Sequence, residues 1–127
     1  MLLSNLPGMA YRCRLDRQWT MEFVSEGCRE LTGYSPEDLV ENKTLSYNDV
    51  IAPEYRESVW DSWDKNLAGR EPYRGEYEII TASGARKWVL ETGQFVLNDE
   101  GAVEALEGII IDITRRKQYE YRLKHII

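Results

Sequence analysis

Between Tyr73 and Ile113 the chain alternates apolar and polar residues almost without a break. Two turn signals, Ser83-Gly84 and Asn98-Asp99-Glu100-Gly101, divide this run into three strands near 73–81, 86–97 and 103–113. In the first strand Tyr73, Tyr77 and Ile79 share one face, and Arg74, Glu76 and Glu78 share the other. Consecutive strands joined by short turns form an antiparallel meander. One face of such a sheet has to be covered, so the rest of the chain is read for what covers it.

The first third carries the same period. In "GMAYRCRLDRQWTMEFVS" Met9, Tyr11, Cys13 and Leu15 fall on one face, opposite Arg12, Arg14 and Asp16. "DRQ" reads as a turn, and "TMEFVS", with Met21 and Phe23 in phase, as a second strand of a hairpin. The middle is helical. Ser25 is expected to cap a short turn through Cys28 and Leu31 that stops at Gly33. Ser35-Pro36-Glu37-Asp38 starts another helix, with a cap, a first-position proline and acids in the first turn. Tyr55, Val59, Trp60, Trp63 and Leu67 recur at helical spacing between Pro53 and Gly69 and mark the longest helix. The order of elements predicts an α+β domain: a five-stranded antiparallel sheet, short helices packed on one face, and a C-terminal helix.

The chain's 127 residues suffice for one such domain. A net charge of -6 argues against general nucleic-acid binding, because an acidic surface repels phosphate. Cys13 and Cys28 match no metal or disulfide pattern and read as small buried hydrophobes of a reducing compartment. No apolar run is long enough to cross a membrane, and "MLLSNLPGMAY" lacks the build of a signal peptide, so a cytoplasmic location without membrane contact is expected. His125 is the only histidine and lies in the tail, which leaves no Ser–His–Asp or Cys–His arrangement. No phosphate-binding glycine loop is present, and the carboxylates are read as lying in first helical turns or on exposed strand faces. No catalytic residue and no metal ligand is assigned.

The tail has a weak helical stripe of Tyr119, Leu123 and Ile126, spaced as on a coiled-coil seam. A helix this short is marginal alone in water. It is expected to pair with a second copy and to continue past Ile127 in a longer parent protein.

Three stretches together resemble the PAS domain family. "FVSEGCRELTGYSPEDL" is similar to the PAS passage from a second strand through a short helix and a Gly-Tyr-Ser turn. "SGARKWVLETGQFVLNDEGAVEALEGIIIDIT" resembles the PAS hairpin and final strand, and "DIT" at 112–114 followed by Arg116-Lys117 resembles its C-terminal signature. The resemblance implies a PAS sensory domain over 1–117 and the start of a signalling helix over 118–127. It implies a homodimeric regulatory module of a histidine kinase or diguanylate cyclase, with the output domain in the same chain, and no chemistry of its own. Asp112 and Thr114 mark the junction, with Thr114 as a helix N-cap and Asp112 accepting backbone N–H groups or pairing with a basic residue. "GCREL" departs from the flavin-bonding NCRFL motif at Gly27 and Glu30, and Cys28 lies in too early a helix, which argues against covalent flavin. The absence of an interior histidine argues against haem. The cofactor is left unassigned; a pocket for a small organic ligand would be walled by Trp60, Trp63, Tyr77, Ile79, Phe95 and Ile110. The alternatives are a ligand-free dimerisation module and a small stand-alone α+β enzyme.

Overall fold

Both hairpin turns of the meander close on a glycine in the left-handed region, Gly84 at φ 88° and Gly101 at φ 82°. At the second, the Asn98 side-chain oxygen also accepts the N–H groups of Glu100 and Ala102 at 2.9 and 3.0 Å. In the computed structural model, which describes residues 8–126, these turns join β3 (Tyr73–Ile80), β4 (Arg86–Leu97) and β5 (Val103–Asp112). β1 (Gly8–Cys13) and β2 (Met21–Val24) form the predicted hairpin, and β1 pairs with β5. The result is one antiparallel sheet in the order β2-β1-β5-β4-β3.

β2 departs from its predicted phase. Met21 and Val24 are buried and Phe23 is half-exposed. The cause is a bulge: Arg12 faces Phe23 while the adjoining Cys13 faces Met21, leaving Glu22 as an extra residue. One inserted residue exchanges the faces of everything beyond it.

The helical middle runs α1 (Cys28–Thr32), α2 (Pro36–Leu39), α3 (Tyr47–Val50), a 3-10 turn (Pro53–Tyr55) and α4 (Arg56–Leu67). Gly33 ends α1 as expected, at φ 81°, but Ser25 does not cap it. Its hydroxyl instead accepts the Ala10 N–H at 2.8 Å and ties the hairpin's exit to β1. Ser35 and Asp38 form a reciprocal capping box at α2. Ser46 and Asp49 repeat it at α3, a helix that the sequence reading did not anticipate. α4 turns Val59 and Trp63 inward.

These helices and the inward sheet face share a single core. Trp63 lies at its centre, 1% exposed, stacked on Tyr73 at 4.8 Å and edge-on to Phe95 at 5.3 Å. Tyr11 reaches this core across a gap made by two glycines that face each other, Gly93 on β4 and Gly108 on β5. A Cβ on Gly93 would stand 2.5 Å from the Tyr11 hydroxyl and 3.0 Å from the Trp63 ring. Gly93→Ala is therefore expected to push Tyr11 aside and to destabilise the domain by about 1–3 kcal/mol in urea unfolding.

Candidate functional site

β4 turns Val89, Glu91, Gly93 and Phe95 toward the core. Glu91 is thus a carboxylate inside the apolar layer, 5% exposed, and corrects the reading that the acids occupy helix starts and exposed strand faces. Its two oxygens accept the hydroxyl hydrogens of Tyr11 and Tyr77, the latter at 2.7 Å. Tyr77 has one hydrogen and gives it to Glu91, so in the 2.9 Å contact between Tyr47 and Tyr77 the donor is Tyr47. Three phenols are thereby ordered toward one carboxylate. The titratable groups facing it are Tyr11 and Cys13 from β1, Tyr47 from α3, and Tyr73 and Tyr77 from β3. No Lys or Arg among the described residues is buried. Burial pushes the Glu91 carboxyl above its usual range, and the two phenol hydrogen bonds oppose this only in part. A small cavity of about 10 Å³ adjoins Glu91, walled also by Tyr11, Cys13, Trp19, Met21, Tyr47, Ile51 and Val59.

The six residues expected to wall a ligand pocket are placed as follows. Trp63, Tyr77, Ile79 and Ile110 are at most 1% exposed and, with Phe95, belong to the packed core. Trp60 packs at its edge between Trp19, at 5.4 Å, and the Arg17 guanidinium, at 4.3 Å. None of the six is among the walls of the Glu91 cavity. Cys28 is fully buried, its thiol donating to the Tyr34 carbonyl at 3.3 Å and pushed up to about 11, chiefly by burial.

The junction lies three residues along β4 from Glu91. α5 (Thr114–Lys124) begins at Thr114 itself, with Ile113 in the cap position, so Thr114 is the first helical residue and not the cap. Its hydroxyl accepts the Trp88 N–H at 2.9 Å, and the Ile113 N–H donates to the Trp88 carbonyl at 2.8 Å. Asp112 accepts the Thr114 N–H at 2.9 Å and stands 3.8 Å from the Lys87 ammonium. The Lys117 ammonium sits 4.6 Å from the centre of the Trp88 ring and 2.8 Å from Glu76, which also pairs with Arg116 at 2.5 Å. Lys117 and Arg116 hold the Glu76 carboxyl below the usual carboxylate range. The Glu76 pairs therefore support α5 above that range and release it as the pH falls through the lowered value. Glu76→Gln is expected to cost about 0.5–1 kcal/mol, read as faster amide exchange in α5, with a smaller difference at high salt.

Beyond Lys117 every described residue of the tail is exposed. Tyr119 and Leu123 lie within α5 at 63% and 57% exposure. Ile126 follows the helix end at Lys124 and does not continue the predicted stripe. Among the described residues no helix is long and apolar enough to cross a membrane, and no cluster of three or more metal-ligating side chains is found.

A five-stranded antiparallel sheet thus carries α1 to α4 in the one connection between β2 and β3, and α5 leaves its last strand. A family model for the PAS fold matches residues 21–110, and the chain belongs to that family. It is 35% identical over 108 residues to the methyl sulfide methyltransferase-associated sensor of Methanosarcina acetivorans, covering 84% of this chain and 11% of that protein. It is 34% identical to a blue-light-activated histidine kinase of Brucella ovis, covering 80% of this chain and 21% of the kinase. The chain thus spans between about a tenth and a fifth of the length of these relatives. The solved structure of a sensory box histidine kinase/response regulator from Burkholderia thailandensis superposes with a TM-score of 0.75 at 25% identity, covering 96% of this chain and 88% of that one. The chain is a PAS sensor domain of the kind found in signalling proteins.

Glu91, Tyr11, Tyr47 and Trp19 were not singled out from the sequence as site residues. The signal for Glu91 was there, because it keeps the inward phase of Val89 and Phe95.

Proposed function

We propose that this domain senses a small ligand held between helices and sheet and transmits its state through α5 to an output domain in the same chain, a histidine kinase or a diguanylate cyclase. It works in the cytoplasm as a homodimer, with Tyr119 and Leu123 of α5 packing against a second copy. The observation that carries this reading is the paired hydrogen bonding of Trp88 with Ile113 and Thr114. It fixes the first turn of α5 to the strand that carries the buried carboxylate. A ligand that favours one arrangement of β4 shifts the population of helix positions. The test is a fusion of the chain, in helical phase, to a histidine kinase output. Thr114→Val, which removes the hydroxyl that accepts from Trp88, is expected to lock autophosphorylation at one level. A fusion whose output still responds as the parent does would refute the coupling.

The small cavity favours a second reading, a ligand-free dimerisation module whose core is filled by its own aromatics. Native mass spectrometry of the freshly purified domain separates the two. A stoichiometric added mass supports sensing, and dimers of bare polypeptide under varied conditions support scaffolding.

A further inference from the structure

The hydroxyl hydrogens of Tyr11, Tyr47 and Tyr77 are all committed within the Glu91 network. What Glu91, Tyr11 and Tyr47 have left is lone pairs. A carboxylate offers about four acceptor sites, of which two are used, and a phenol oxygen that has given its hydrogen can only accept. The cavity they wall therefore has acceptors in the carboxylate and both phenols, and the donors among its walls are the Cys13 S–H and the Trp19 indole N–H. Three acceptors around one small space suit a guest that chiefly donates hydrogen bonds. Glu91 is also the one charged side chain among the buried residues described. A buried carboxylate without a cation is costly and is normally paired or neutralised.

We propose that this cavity binds an ammonium ion, which donates hydrogen bonds to Glu91, Tyr11 and Tyr47 and neutralises the carboxylate. A cavity of about 10 Å³ holds one water-sized guest, and NH4+ is of that size. Three oxygen-bearing side chains are too few for a hard metal ion, which gathers six or more oxygens.

Trp19 covers the cavity from the β1–β2 turn. It is 4% exposed and its backbone has φ 55°, a conformation that bulky residues adopt only under constraint. The constraint is a turn in which Asp16 accepts the N–H groups of Gln18 and Thr20 and the Thr20 hydroxyl, at 3.0, 3.0 and 2.7 Å.

This inference rests on the small-ligand reading above and names the ligand's class. The whole 127-residue chain is titrated with 15N-ammonium chloride at constant ionic strength, with sodium and potassium chloride as controls. Bound ammonium protons are expected to give nuclear Overhauser contacts to the Trp19 and Tyr47 rings, and Tm is expected to rise with ammonium over both controls. Glu91→Gln should weaken binding at least about tenfold. Val59→Ile, which fills the cavity and leaves Glu91 in place, should abolish the contacts and keeps the test informative if the glutamine variant fails to fold. Equal Tm in all three salts without contacts overturns the proposal, as does a potassium response equal to that of ammonium, or unweakened binding in a folded Glu91→Gln protein. Ammonium that binds but leaves the kinase fusion unmoved refutes the sensing reading and not this site. A fusion that responds to another ligand, with no ammonium bound, refutes this site alone.

Discussion

Trp63→Ala is expected to remove about 3–5 kcal/mol of stability, the cost of deleting a large buried aromatic and leaving a cavity. Single domains hold only about 5–15 kcal/mol in all, so the variant would be close to unfolding at ambient temperature. The size of the effect follows from what the ring touches. It is 1% exposed, stacked on Tyr73, edge-on to Phe95 and 6.1 Å from Trp19, so it joins α4 to β3, β4 and the β1–β2 turn. Urea unfolding followed by circular dichroism measures it. Trp60→Ala is the comparison, because Trp60 lies at the core's edge and should cost distinctly less. Equal losses at the two positions would mean that the packing centre is misplaced.

The second large effect is on pH dependence. Burial raises the folded carboxyl of Glu91 above its ordinary value of 4.5. Below pH 4.5 Glu91 is protonated both folded and unfolded. As the pH rises, the unfolded chain loses this proton first. The stability that Glu91 contributes therefore falls, by up to about 1.4 kcal/mol per pH unit, until the folded value is passed. Glu91→Gln removes this term. Asp38, Glu54 and Glu76 have lowered values, give slopes of the opposite sign, and cancel in the difference because both proteins retain them. Urea midpoints of the two proteins from pH 4 to pH 8 should give a difference curve that favours wild type at the acid end and declines upward. A flat difference would show that Glu91 titrates as a solvated carboxylate does.

Much of the fold was legible because it rests on period and turn chemistry. The meander was marked by Gly84 and Gly101, which supply the backbone the hairpins need. α4 was marked by its apolar spacing. α3 was missed because a four-residue helix shows no period, although Ser46 and Asp49 repeat the box of Ser35 and Asp38. The phase of β2 was misread because a bulge leaves no mark on a short alternating run. The site was less legible. A glutamate in a strand reads as exposed, and only its phase with Val89 and Phe95 shows otherwise. The six pocket residues were chosen by face, and facing inward does not distinguish a residue that walls a space from one that fills it. At the junction Asp112 and Thr114 do meet, but the strand–helix tie runs through Trp88, whose part depends on the β4–β5 register that pairs Val89 with Asp112.

The proposed transmission requires one physical link: a change in the Glu91 network must reach the first turn of α5 along β4. Amide hydrogen exchange measured residue by residue, in wild type and in Glu91→Gln at neutral pH, tests it directly. The expected result is altered protection at Trp88, Ile113 and Thr114 together with the core amides of β4. A change confined to the residues around position 91, with the α5 junction exchanging as in wild type, would contradict it.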